Sequence, residues 1–136
     1  MTTVKTIYTK ELRTEAEHVK SGTVICTDAP VDNQGKGEAF SPTDLLAASL
    51  GSCMLTLMGI AARNHGFSVD GTCISITKVM AENPRRVSEI RIIMDLPKGE
   101  YPVNQRRIME RAALTCPVAL SLHPDIRQEV TFNYPE

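Results

Sequence analysis

The stretch SPTDLLAASLGSCMLTLMGIAARNHG, running from Ser41 to Gly66, constrains this chain more than any other feature. It reads as one long helix. Ser41 suits the N-cap, Pro42 the first helical position, and Asp44 completes a capping-box-like S-x-x-D. Leu45, Leu46, Ala48, Ser49, Leu50, Cys53, Leu57 and Ile60 supply a broad apolar or small face, and Asn64 and Gly66 close it. Few charges lie between Asp44 and Arg63, so the helix is expected to be covered on most sides. Ala47, Ala48, Ser49, Gly51 and Ser52 are small enough to let other backbones approach closely. A chain of 136 residues suits a single domain, 1–136, with a real core. Such a helix offers more apolar surface than so short a chain readily covers, which predicts a homodimer.

The segments around the helix alternate in the manner of strands. VKTIYT, LRTEAEH and the β-branched GTVICTD precede it, and DAPVDNQGKGEAFSP reads as a long connection. After Gly66, SVDGTCISITKVM and RVSEIRIIMDL form a meander turned at AENPR, with Ile90, Ile92 and Met94 alternating toward one covered face. VNQRRIMERAALT gives a second helix with Ile108, Ala112 and Ala113 inside. A short helical turn, VALSL, follows Pro117, and RQEVTFNY is a last strand. Three strands, a long helix, two strands, a helix and a strand do not make regular βαβ alternation, so the fold class is α+β.

Charge and composition exclude several kinds of partner. Lys plus Arg is 15 against 16 for Asp plus Glu, so no strong field favours nucleic acid or an anionic membrane. Aromatic residues are 4% and Trp is absent, which leaves little for base stacking. The first twenty residues lack the apolar core of a signal peptide, and the long helix is interrupted by Ser, Thr, Gly and Arg. The expectation is a soluble, cytoplasmic protein with no nucleic-acid or membrane partner. Cys26, Cys53, Cys73 and Cys116 form no C-x-x-C pair, and His18, His65 and His123 give no metal-ligand spacing. Neither a metal nor structural disulfide staples are expected.

The four cysteines fall into two kinds. Cys26 and Cys73 sit in β-patterned runs, where a thiol is expected to be a small buried hydrophobe. Cys116 directly precedes Pro117 at the expected start of a helical turn, where orphan amides and the dipole favour a thiolate. Cys53 lies mid-helix, where the dipole has faded. A cation from another segment would have to activate it.

SPTDLLAASLGSCM, followed some sixty residues later by ALTCPVALSL, resembles the OsmC/Ohr family of osmotically inducible and organic hydroperoxide resistance proteins, in its broad OsmC-like branch. The resemblance implies antiparallel sheets packed on a long central helix, in an intertwined homodimer. It also implies a cofactor-free, thiol-dependent peroxidase. Cys53 matches the peroxidatic position and Cys116 the resolving one. The partners implied are an organic hydroperoxide, which would oxidise Cys53 to a sulfenic acid, and an external dithiol that would reduce the resulting Cys53–Cys116 disulfide. Met54, Leu57 and Met58 would line an apolar pocket or be plain core. The family sets an arginine and a glutamate beside the peroxidatic cysteine. Arg13 best matches the arginine. The glutamate follows the Pro of the helix start, where this sequence has Thr43. Asp44 is committed to capping and lies on the far side of the helix from Cys53, so Glu38 in the preceding loop is the candidate to replace it. Thr43 also supports an alternative: a non-enzymatic redox sensor or binder of small apolar ligands.

Overall fold

The strands and helices form where the hydrophobic patterning places them. The computed structural model describes all residues, Met1–Glu136, which fall into two compact units, Met1–Leu46 and Ala47–Glu136.

The first unit is a three-stranded antiparallel meander of β1 (Val4–Tyr8), β2 (Arg13–His18) and β3 (Val24–Asp28), in that order. A tight turn closes the β2–β3 hairpin: Gly22 takes the left-handed region at φ 76° and its N–H donates to the His18 carbonyl at 2.8 Å. That turn fixes the register, setting Glu15 opposite Cys26 and Arg13 opposite Asp28. The chain then loops back, and the Asp28 N–H donates to the Phe40 carbonyl at 3.0 Å. Ile7, Tyr8, Val24 and Ile25 are exposed in the isolated chain.

The long helix α1 (Pro42–Asn64) starts as its capping box requires. The Asp44 N–H donates to Ser41 Oγ and the Ser41 N–H to Asp44 Oδ2, both at 3.0 Å. Ala47, Leu50, Gly51, Met54, Met58 and Ala62 form its buried stripe, spaced three or four apart. The remaining faces are half-buried or exposed, so the single chain covers one side of α1 rather than most.

In the second unit, β4 (Cys73–Ala81), β5 (Arg86–Asp95) and β6 (Arg127–Asn133) form a sheet in that order. Gly51 of α1 lies against this sheet, and a Cβ there would fall 2.5 Å from Ile76 Cδ1 and 2.6 Å from Ile74 Cδ1. Ile90, Ile92 and Met94 are buried, as their alternation predicts. Val87 is buried too because the register slips opposite Val79/Met80, and Ser88, whose Oγ donates to the Val79 carbonyl, is the extra residue.

The sheet is not purely antiparallel. β6 pairs parallel with β5, because α2 (Val103–Leu114) and α3 (Pro117–Ser121) form a crossover that returns the chain in the same direction. In α2 the fully buried positions are Met109 and Ala113, with Ile108 and Ala112 half-buried. Arg106 anchors the start of α2: its Nε donates to the Tyr101 carbonyl at 2.7 Å and its guanidinium lies 4.5 Å from the Tyr134 ring centre. Cys26 and Cys73 are exposed, contrary to expectation. Cys26 lies on a sheet its own chain leaves uncovered, and Cys73 is the first residue of β4.

Candidate redox site

The two cysteines singled out by local context meet within the second unit. Cys53 projects half-buried from α1. Cys116, fully buried, is the N-cap of α3: its extended backbone precedes Pro117, and its Sγ accepts from the Ala119 N–H at 3.5 Å. Cys53 lies close enough to the Cys116 thiol to raise its pKa. Two thiols this near are candidates for a disulfide.

Cys116 does not behave as its place at a helix start predicts. Burial pushes its thiol above the ordinary value, outweighing the lowering by the Ala119 amide, and the neighbouring Cys53 raises it further. α3 has five residues and offers little dipole, while the sulfur is shut away from water. Enclosure therefore favours the protonated form of Cys116. Met54 and Met58 beside Cys53 are wholly buried, and only Leu57 of the three apolar neighbours is half-buried. The two methionines are core.

The charged candidates lie together in the first unit. Arg13 Nη2 pairs with Glu38 Oε1, and the same nitrogen is 3.4 Å from Asp28 Oδ2. Arg13 and Glu38, 25 positions apart, thus form an ion pair between β2 and the loop before α1. Asp28 was not among the candidates. A hairpin turning at Gly22 sets it opposite Arg13, which is the signal that would have found it. These groups border a cavity of about 400 Å³ with Thr27, Cys26 and Ala39. The Asp28 carboxyl is held below the usual range, first by the Glu38 N–H at 3.0 Å and then by Arg13. Asp28 and Glu38 together raise Arg13, with Asp28 the larger influence. Thr43 Oγ1 lies 3.2 Å from the Ser41 hydroxyl, part of the helix start.

An α+β chain with a mid-helix thiol set near a second thiol that caps a short helix is a paired-cysteine protein. The family model described as OsmC-like protein matches residues 35–131, and the chain belongs to that family. It is similar to a structure from Psychrobacter arcticus, provisionally described as an osmotic stress induced and detoxification response protein. The two share 56% identity over 98% of this chain and 96% of that one, with a TM-score of 0.94. The same fold occurs in an OsmC-like protein of Mycoplasma pneumoniae, at 14% identity, 98% and 96% coverage and TM-score 0.78. It also occurs in the organic hydroperoxide resistance protein OsmC of Legionella pneumophila, at 12% identity, 98% coverage of both chains and TM-score 0.76. No curated protein matches the sequence.

Proposed function

We propose that the chain is a two-cysteine thiol peroxidase that reduces organic hydroperoxides in the cytoplasm. The observation that carries this reading is the nearness of a half-buried Cys53 to a fully buried Cys116 whose thiol form is favoured. The accessible sulfur is the one a peroxide can reach, and the enclosed one is placed to follow it.

The Cys53 thiolate attacks the distal oxygen of the hydroperoxide. The O–O bond breaks, the alkoxide takes a proton and leaves as the alcohol, and Cys53 becomes a sulfenic acid. The Cys116 sulfur then displaces that hydroxyl, forming the Cys53–Cys116 disulfide, and its own proton leaves with the hydroxyl as water. An external dithiol supplies the two electrons that restore both thiols by exchange. Arg13 is assigned to stabilise the Cys53 thiolate, with Glu38 paired to it as the carboxylate that stands in for the glutamate Thr43 replaces. The protein acts as a homodimer. The exposed Ile7, Tyr8, Val24 and Ile25 of the first sheet and the uncovered faces of α1 support that assembly.

Thr43 favours a second reading, a redox sensor or small-ligand binder that forms the disulfide without sustained turnover. Cumene hydroperoxide with a dithiol reductant separates the two. The peroxidase reading expects continuous turnover, its loss to background in Cys53→Ser, and an accumulating sulfenic acid in Cys116→Ser. One disulfide per chain with no further peroxide consumed is the sensor's result. Undiminished turnover in Cys53→Ser would overturn the mechanism.

A further inference from the structure

Two carboxylates share one guanidinium in the first unit, and they differ in kind. Glu38 has a side chain 62% exposed, and Asp28 one only 1% exposed, while Arg13 between them is 37% exposed. The exposed partner sits on the connection between β3 and α1, and the buried one on a strand in direct register with Arg13.

Asp28 is also the more connected of the two. Its Oδ2 accepts from Arg13 Nη2 at 3.4 Å and from the Glu38 backbone N–H at 3.0 Å. Its own N–H is spent on the Phe40 carbonyl at 3.0 Å, so one residue ties the guanidinium, the residue bearing Glu38 and the approach to α1. Its other oxygen, Oδ1, is buried with no hydrogen-bond partner. A buried carboxylate with an orphaned oxygen is costly, and an asparagine there would accept the Glu38 amide without carrying a charge. What the charge adds is a hold on Arg13.

We propose that Asp28 is the positioning residue of the Arg13 guanidinium, holding it through one carboxylate oxygen that also anchors the Glu38 backbone, so that the Glu38 side chain can leave without releasing the arginine. This rests on the reading that Arg13 serves the Cys53 thiolate. Glu38 is then the exchangeable partner, and Asp28 the permanent one. A hydroperoxide or thiolate competing for Arg13 displaces a solvent-exposed carboxylate, while the guanidinium stays aimed.

The test is the order of the Arg13 side chain, read from its Nε–H in the ¹⁵N-labelled full-length protein by heteronuclear NOE and hydrogen exchange. Arg13→Lys identifies the signal. In Glu38→Gln the NOE is expected to stay near the wild-type value. In Asp28→Asn it falls to that of a free arginine, Nε–H exchange quickens about tenfold or more, and kcat/KM for cumene hydroperoxide drops while circular dichroism is unchanged. Release of Arg13 in Glu38→Gln, or an equally ordered Arg13 in Asp28→Asn, overturns the proposal. Glu38 is exposed, so its variant decides the matter even if Asp28→Asn does not fold. A wild type that consumes no hydroperoxide removes the peroxidase reading and leaves the Arg13 measurement to decide the positioning.

Discussion

The two units of this chain reach order by different means. The unit Ala47–Glu136 builds a conventional core, in which Leu50, Met54, Met58, Ile90, Ile92, Met94 and Met109 are all buried. The unit Met1–Leu46 buries few side chains. Its best-enclosed groups are Asp28, Thr27 and Ser41, all polar, while large apolar residues face outward. One unit is held by packing, and the other by hydrogen bonds and a charge cluster. Two clusters divide along the same line, since Cys53 and Cys116 lie in the packed unit and the Arg13–Asp28–Glu38 group in the polar one. A half-solvated guanidinium can change partners, because its ion pairs remain exchangeable with water.

Three measurements press on this contrast. Met54→Ala, at a position 0% exposed, should destabilise the protein most. About 2–5 kcal/mol is expected from urea unfolding, with the loss confined to the packed unit in hydrogen exchange. A smaller effect should appear in acid and belong to the polar unit. The folded-state pKa of Asp28 lies below its ordinary 3.8, so its contribution is fully present above that value and disappears as pH falls through the folded pKa. The stability difference between wild type and Asp28→Asn should therefore be constant above about pH 5 and shrink below pH 3.8. A difference that grows on acidification would contradict this assignment. The smallest effect on the chain's own fold is expected for Ile7→Ser, within about 0.5 kcal/mol because Ile7 is exposed. If the chain forms the proposed dimer through β1, the same substitution should push sedimentation toward monomer. An unaltered dimer would show that this face stays in water.

Alkaline pH brings out the packed unit. Burial raises Cys116 above its ordinary 9.0, and burial also raises Tyr101 and Tyr134. The stability linked to Cys116 is complete below 9.0 and is lost as pH climbs through its folded value.

Local chemistry made much of the fold legible. Ser41, Pro42 and Asp44 announced the start of α1 because capping depends only on residues a turn apart, and Ile90, Ile92 and Met94 announced the covered face of β5 by simple alternation. Non-local outcomes were not legible. The parallel pairing of β6 follows from where α2 and α3 lead the chain, and nothing in RQEVTFNY encodes a direction. Cys26 and Cys73 carry strand patterning, but whether a strand is covered depends on what packs over it. At the site, resemblance and the Cys-Pro step pointed to Cys53 and Cys116. The protonation of Cys116 was misjudged because enclosure, which sequence does not show, outweighs a helix start. Arg13 and Glu38 were proposed separately, and their pairing is a product of the fold. Asp28 was passed over because an aspartate ending a strand looks like an ordinary turn residue.

Gly51 has a reach beyond its own position. Two residues before Cys53, it presents bare backbone to the tips of Ile74 and Ile76. The clearance between α1 and β4 is thus set by a missing side chain, acting like a shim that has been left out. Even one methyl there would have to be absorbed by shifting two isoleucine ends or by lifting the helix a few tenths of an ångström. The seating of α1 on its sheet is thus adjusted at a residue that carries no functional group.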